Sequence, residues 1–238
     1  MLDRIGTPAY PLVTGHRGAG GERPENSLEA FSYAAQIGCD GVELDVHLCR
    51  DGTPVVLHDP FLTRPDGSTV EIGSLSIAEV VESGSAVPSL EAVLEILAPT
   101  GLYVQIELKG DGVETAAVRL TRRYGLERRV ILTSFVHRRV LTAKALLPEV
   151  RTGVLLSSVP IRLLGVARDA QADNIHLDHR RITSAVVEDV HTAGKTLVAW
   201  GVIKEDRDFD RLFSLGVDVI GSDWPSKLLA RRRQVYGR

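Results

Sequence analysis

Cysteine is scarce in this chain. Its 238 residues include two, Cys39 and Cys49, too few for a disulfide framework and without the paired spacing of a metal knuckle. Cys39 reads as a small buried hydrophobe rather than a reactive thiol. An excess of one charge is missing as well. Twenty-eight basic residues against 31 acidic ones leave a formal net charge of −3, which gives no global attraction to nucleic acid or to anionic membranes. Long apolar runs are also lacking. No stretch is long enough to be a bilayer span, and the opening MLDRIGTPAYPLV has no continuous apolar core of the kind a secretion leader needs. Linkers, internal repeats and low-complexity segments are absent too. The expectation is one soluble, cytoplasmic domain over residues 1–238, with an ordinary hydrophobic content of 44%.

What is present is alternation. Strand-like runs fall near 12–16, 41–48, 102–109, 129–134, 151–156, 173–178, 196–202 and 217–221. Helical patterns lie between most of them, near 26–37, 113–124, 136–147, 160–171, 182–193 and 205–215. Repeated βα units imply a parallel sheet with helical crossovers. Eight main strands at this length favour closure into a (β/α)8 TIM barrel over an open doubly wound sheet, since such barrels commonly run to about 250 residues. Asp51-Gly52 leaves no room for a helix, so 54–58 reads as an extra hairpin strand. A small insertion follows at about 60–88, rich in Gly, Pro, Ser and Thr, with a short helical pattern at 76–82. Ser89 then caps a restarting helix.

The chemistry-bearing residues collect at predicted strand ends, where parallel barrels place their functional side chains. Glu43 and Asp45 are two apart, so they share one strand face while Leu44 and Val46 take the other. Glu107 lies on the next strand. Three carboxylates from two adjacent strands suit a hard divalent cation, Ca2+ or Mg2+; a purely structural pairing with Arg or Lys is the competing role. His16 and His58 arrive at strand ends nearby. Hydrolysis of a phosphodiester needs a base for the attacking oxygen and an acid for the leaving one, and imidazole can serve as either near neutrality. Arg17 and Lys109 suit phosphate, the first as a planar fork and the second as a point charge, although Lys109 can equally serve to neutralise Glu107. Asn26 is placed to cap the helix after it, and Glu25 to orient Arg17 or approach a cation.

These residues fall in motifs that resemble the glycerophosphodiester phosphodiesterase family. The match runs through HRG at 16–18, PEN at 24–26, ELD at 43–45, the Asp51-Gly52 turn, HD at 58–59 and Glu107-Leu108-Lys109. It continues in Trp200 and in Gly216-Val217-Asp218 leading to Ser222-Asp223 and Pro225. The order is kept over roughly the whole chain. The resemblance implies a metal-dependent hydrolase that cleaves glycerophosphodiesters to an alcohol and sn-glycerol 3-phosphate. It implies His16 and His58 as the catalytic pair, Glu43, Asp45 and Glu107 as metal ligands, and Arg17, Lys109 and Trp200 as substrate contacts. Trp200 would be an apolar wall for the glycerol carbons, with a packing role as its alternative. The insertion would sit over the active-site end, its compactness favouring a small head group. Two departures bear on the alcohol. Trp200 is followed by Gly201-Val202-Ile203 where the family commonly has Thr-Val-Asn, and Ser222 stands where the family has Thr. Ile203 reaches the site only if the strand ends near Gly201 and the chain turns.

Other features carry less. Gly18-Ala19-Gly20-Gly21 lacks the spacing of a dinucleotide fingerprint. His176, Asp178 and His179 read as a structural network, and Arg231-Arg232-Arg233 as a solvated helix end with no aromatic interleaving of the kind nucleic-acid sites use. A small-molecule substrate is expected, with no nucleic acid and no stable membrane insertion. The rivals are a lysophospholipase D acting on lipid substrates, a non-catalytic barrel that binds phosphorylated ligands, and a sugar-phosphate isomerase on the same fold.

Overall fold

The computed structural model describes residues 10–64 and 66–237. The first nine residues of the opening segment, read above for a leader, lie outside that range. Eight parallel strands close a barrel: β1 (Leu12–Gly15), β2 (Gly41–Leu48), β6 (Tyr103–Leu108), β7 (Val130–Ser134), β8 (Arg151–Leu156), β9 (Asn174–Asp178), β10 (Thr196–Trp200) and β11 (Val219–Ser222). Closure is completed by β1, which pairs with β11 on one side and β2 on the other. Outside the ring, β3 (Pro54–Val56) runs antiparallel to β2, as the Asp51-Gly52 turn requires. In the insertion β4 (Phe61–Thr63) and β5 (Thr69–Glu71) form a small hairpin.

Helices α1 (Leu28–Gln36), α3 (Leu90–Leu97), α4 (Val113–Arg123), α5 (His137–Leu146), α6 (Leu163–Asp169), α7 (Ser184–Thr192), α8 (Asp206–Leu215) and α9 (Pro225–Tyr236) follow the barrel strands, while α2 (Ile77–Glu82) belongs to the insertion. Local chemistry sets their starts. Ser27, Ser76, Ser89 and Thr183 each accept a backbone N–H from the first turn, a cap that contributes about 0.5–2 kcal/mol. Asn26 is therefore not the cap of α1; Ser27 is. None of the helices is long and apolar enough to cross a membrane.

Period-two alternation sorts the strand residues. Val42, Leu44, Val46, Val104, Ile106 and Leu108 face outward into the core shared with the helices. Inward, Leu12, Tyr103, Ile131, Val198 and Val219 close the barrel floor as a separate apolar plug. The insertion has a core of its own, in which Cys49, Val55, Leu62, Ile72, Leu75 and Val80 pack together. Both cysteines are buried and free, and burial pushes Cys39 up to about 12, so it carries no thiolate at neutral pH.

Two regions differ from the sequence expectation. Arg232 is not a solvated helix end: it is buried, ion-pairs with Asp40, donates to the carbonyl of Pro11 and packs near the ring of Tyr10. Ile203 is fully buried in the main core, and its carbonyl accepts from Ser222 Oγ at 2.6 Å. The strand does end at Trp200 and the chain does turn at Gly201 (φ +119°), but the turn sends Ile203 inward, away from any ligand. The polar-to-apolar change at 203 is thus a core feature, with no bearing on the alcohol.

His176 is completely buried inside the barrel, and neither ring nitrogen has a hydrogen-bond partner among the described residues. Gly153 makes the room, because a Cβ there would overlap the imidazole. Burial alone pushes His176 down to about 3. In the unfolded chain it titrates near 6.5, so between those values the unfolded state binds the extra proton and folding stability rises with pH. The contribution is complete above pH 6.5 and is lost as pH falls, by about 2 kcal/mol between pH 6.5 and 5. Urea melts at pH 7 and 5 should show this loss in the native chain and a loss smaller by that amount in His176→Leu. An equal loss in both proteins would refute the assignment. Asp178 pairs with Arg180, and Arg211 bonds His179, a structural role for both, but His176 takes no part in the network expected of the three.

Candidate active site

The loop from His16 to Ser27 folds back under α1 because of its glycines. A Cβ on Gly15 would overlap the carbonyl of Gly18, and Gly18 itself sits at φ +85° against Ala30, where only glycine fits. Between them Arg17 adopts φ +50°, which costs a non-glycine residue about 1–3 kcal/mol. It is held there from both sides: its N–H donates to Glu43 Oε2 at 3.0 Å, and its carbonyl accepts from the N–H of Asn26 at 3.0 Å. The strained turn swings the guanidinium toward the barrel mouth, where Nη1 bonds Glu25 at 2.8 Å and Nε lies 3.5 Å from Asp45. Glu25 thus orients Arg17. Asn26, also at positive φ, donates its side-chain N–H to Asp45 Oδ2 at 2.9 Å, a different use from the cap expected of it.

Strand register does the rest. β2 and β6 pair in parallel with Asp45 directly beside Glu107 and Glu43 beside Gln105. Oxygens of Glu43, Asp45 and Glu107 consequently lie within 4.8 Å of one another. Glu43 and Asp45 are buried. Lys109, just past the end of β6, sits 3.4 Å from both Asp45 and Glu107. Even so, burial and the neighbouring Asp45 hold the carboxyls of Glu43 and Glu107 well above the usual carboxylate range. Three hard oxygen donors so close, with their charge this poorly compensated, fit a divalent cation.

His16 follows β1. Its Nδ1–H donates to Asp223 at 2.6 Å, which turns Nε2 toward Glu43 at 3.8 Å. Burial by itself would lower this imidazole, but the Asp223 hydrogen bond and the charges of Glu43 and Asp223 outweigh it and raise it to about 9. His58 stands on the loop after β3, with Nδ1 2.7 Å from Asp59. Its backbone is anchored by His47, whose Nε2–H donates to the His58 carbonyl at 3.1 Å. All eight expected residues, namely His16, Arg17, Glu43, Asp45, His58, Glu107, Lys109 and Trp200, line one cavity of about 450 Å³.

The cavity has two characters. Opposite the carboxylates stand Phe135, Leu155, Trp200, Val202 and Trp224. Phe135 meets Trp200 edge-on at 5.4 Å and 84°. Sequence reasoning assigned no role to Phe135, Trp224, His47 or Asp223. Two of them left a trace: Asp223 stands in the Ser222-Asp223 motif, and His47 two residues beyond Asp45 on the same strand face.

The chain matches the model of the glycerophosphoryl diester phosphodiesterase family over residues 16–227. It is 30% identical to the glycerophosphodiester phosphodiesterase of Caldanaerobacter subterraneus subsp. tengcongensis, over 92% of this chain and 96% of that one. A solved Oleispira antarctica phosphodiesterase, in complex with the product sn-glycerol-3-phosphate, superposes with a TM-score of 0.84 at 28% identity, covering 93% of this chain and 96% of that one. The fold is also shared by a Silicibacter pomeroyi structure with a TM-score of 0.88 at 24% identity, covering 97% of this chain and 96% of that one. With its motifs in family order on a closed barrel, the chain belongs to the glycerophosphoryl diester phosphodiesterase family and is a phosphoric diester hydrolase.

Proposed function

We propose that this enzyme cleaves glycerophosphodiesters to an alcohol and sn-glycerol 3-phosphate with a divalent cation, Ca2+ or Mg2+, held by Glu43, Asp45 and Glu107. The observation that carries the reading is the meeting of those three carboxylates with two histidines, an arginine and a lysine in one cavity. A cation bound there supplies Lewis-acid stabilisation to a phosphoryl oxygen. Arg17 and Lys109 add positive charge beside the same group, where negative charge grows in the transition state. His58 takes the proton of the attacking oxygen, from water or from the substrate's own glycerol hydroxyl. The bond from phosphorus to the alcohol oxygen breaks, and His16 returns a proton to that oxygen. The field of Asp223 and Glu43 favours the imidazolium form and so suits His16 to donation. His47 acts through His58 by fixing its backbone, and Asp223 acts through His16. Phe135, Trp200 and Trp224 shelter the carbon skeleton of the substrate.

The test is hydrolysis of glycerophosphocholine, glycerophosphoethanolamine and a lysophospholipid with each cation, with both products identified. Release of sn-glycerol 3-phosphate with free choline or ethanolamine is expected. Phosphocholine as the product would place the cleavage on the wrong side of phosphorus and overturn the reading.

A further inference from the structure

Half of the cavity's outer rim takes no part in that chemistry. It is built by the turns that follow β7, β8 and β9, together with the first residues after β10. Four large apolar side chains there point into solvent: Val136 at 48% exposure, Val159 at 44%, Val202 at 63%, and Ile161, which is fully exposed. Because all these turns leave the carboxyl ends of neighbouring strands, they crown the same end of the barrel as the catalytic groups. The apolar surface also continues inward without a break in character, through Phe135 and Val202 at the mouth to Leu155 and Trp200 on the wall.

Charge on the turns that follow β7, β8 and β9 has one sign, while the segment after β10 carries Glu205 and Asp206 beside Lys204 and Arg207. Residues 135–139, 157–162 and 179–183 contain no Asp or Glu. Arg139 is paired with Asp111, and Arg180 with Asp178. Arg138, Arg162 and Arg181 are exposed and have no carboxylate within 4 Å among the described residues. A net charge of −3 over the chain therefore conceals a local cationic patch. Protruding aliphatic side chains interleaved with unpaired arginines are the composition of a surface that lies in a lipid interface, with the apolar tips among the acyl chains and the guanidinium groups at the anionic head groups.

We propose that this rim docks the enzyme reversibly onto a bilayer containing anionic lipids, setting the mouth of the cavity against the membrane surface. The occupant follows from the charge and from the shape. The apolar side chains stand out from separate turns, and the unpaired arginines among them match phosphate head groups. The inference concerns where the enzyme works and stands whether or not the preferred head group is the one tested above.

The experiment is flotation of the full-length enzyme with phosphatidylcholine vesicles, alone or containing a minority of phosphatidylglycerol, together with turnover of a soluble glycerophosphodiester. The native enzyme should float with the anionic vesicles, less so in high salt, and scarcely with the neutral ones. Ile161→Glu and Val159→Glu should each weaken partitioning about tenfold or more, the factor expected for one unburied aliphatic side chain. Arg162→Ala should weaken it about fivefold. All three variants should turn over the soluble substrate at the native rate, because none of these residues lines the cavity. Absence of flotation in the native enzyme would overturn the proposal. Flotation untouched by the three substitutions would overturn it too, as would loss of a dimer in Ile161→Glu without any vesicle binding, which would assign the rim to a second copy of the chain.

Discussion

Replacing His16 with alanine is expected to lower kcat on glycerophosphocholine by ~10²–10⁴-fold, the usual contribution of a positioned general acid. The loss should shrink sharply on a nitrophenyl ester, whose leaving oxygen needs no proton. That contrast separates a proton donor from a base, since removal of a base would penalise both substrates alike. Asp223→Asn provides the companion result. The Asp223 carboxylate raises His16, so its loss lets burial pull the imidazole down and should move the alkaline limb of the pH–rate profile to lower pH. His58→Ala should be costly on both substrates. An unchanged kcat in His16→Ala, measured where chemistry limits the rate, would remove His16 from the mechanism.

Removal of divalent cations is expected to abolish turnover, and Mg2+ or Ca2+ to restore it. The basis is the triad of Glu43, Asp45 and Glu107, whose oxygens lie within 4.8 Å of one another, with burial and the charge of Asp45 raising Glu43 and Glu107. Binding also has a readout apart from activity. A cation that binds only the folded protein raises its melting temperature, by about 2.7 kcal/mol of stabilisation at a hundred times its dissociation constant. Asp45→Asn should erase both the thermal shift and the restored turnover, because Asp45 is the centre of the cluster and receives Asn26, Arg17 and Lys109. Full activity in the rigorously demetallated enzyme would sink the proposal.

The barrel was legible because each strand announces itself twice, in its apolar outer face and in the helix that follows. Glu43 and Asp45 were legible for a related reason: carboxylates at period two on a strand whose other face is Val42, Leu44 and Val46 have to point at the barrel axis. Glu107 needed the register of β2 on β6 to become their neighbour, and nothing local encodes that register. Asp223 was visible as part of a motif, but its partnership with His16 was not, since that bond spans 207 positions. Phe135 belongs to a turn, where no periodicity marks direction. Ile203 misled because its fate hung on the backbone angle of one residue, Gly201. Arg232 misled because a basic run on a terminal helix ordinarily faces water, and only the half-buried Asp40 beneath it draws one of the three inward.

The bond between His16 and Asp223 also bears on the enzyme's birth at the ribosome. The histidine proposed as proton donor follows β1, the earliest barrel strand to emerge, while its partner comes just after β11, the latest. At ordinary translation speeds the interval between them is roughly 10–40 s. Throughout that time β1 lacks one of its two strand neighbours, and His16 lacks the carboxylate that fixes its tautomer. A nascent chain would therefore lack the partner of its proposed proton donor until the last strand emerges. On the proposed mechanism, turnover would begin only when the ring of strands closes.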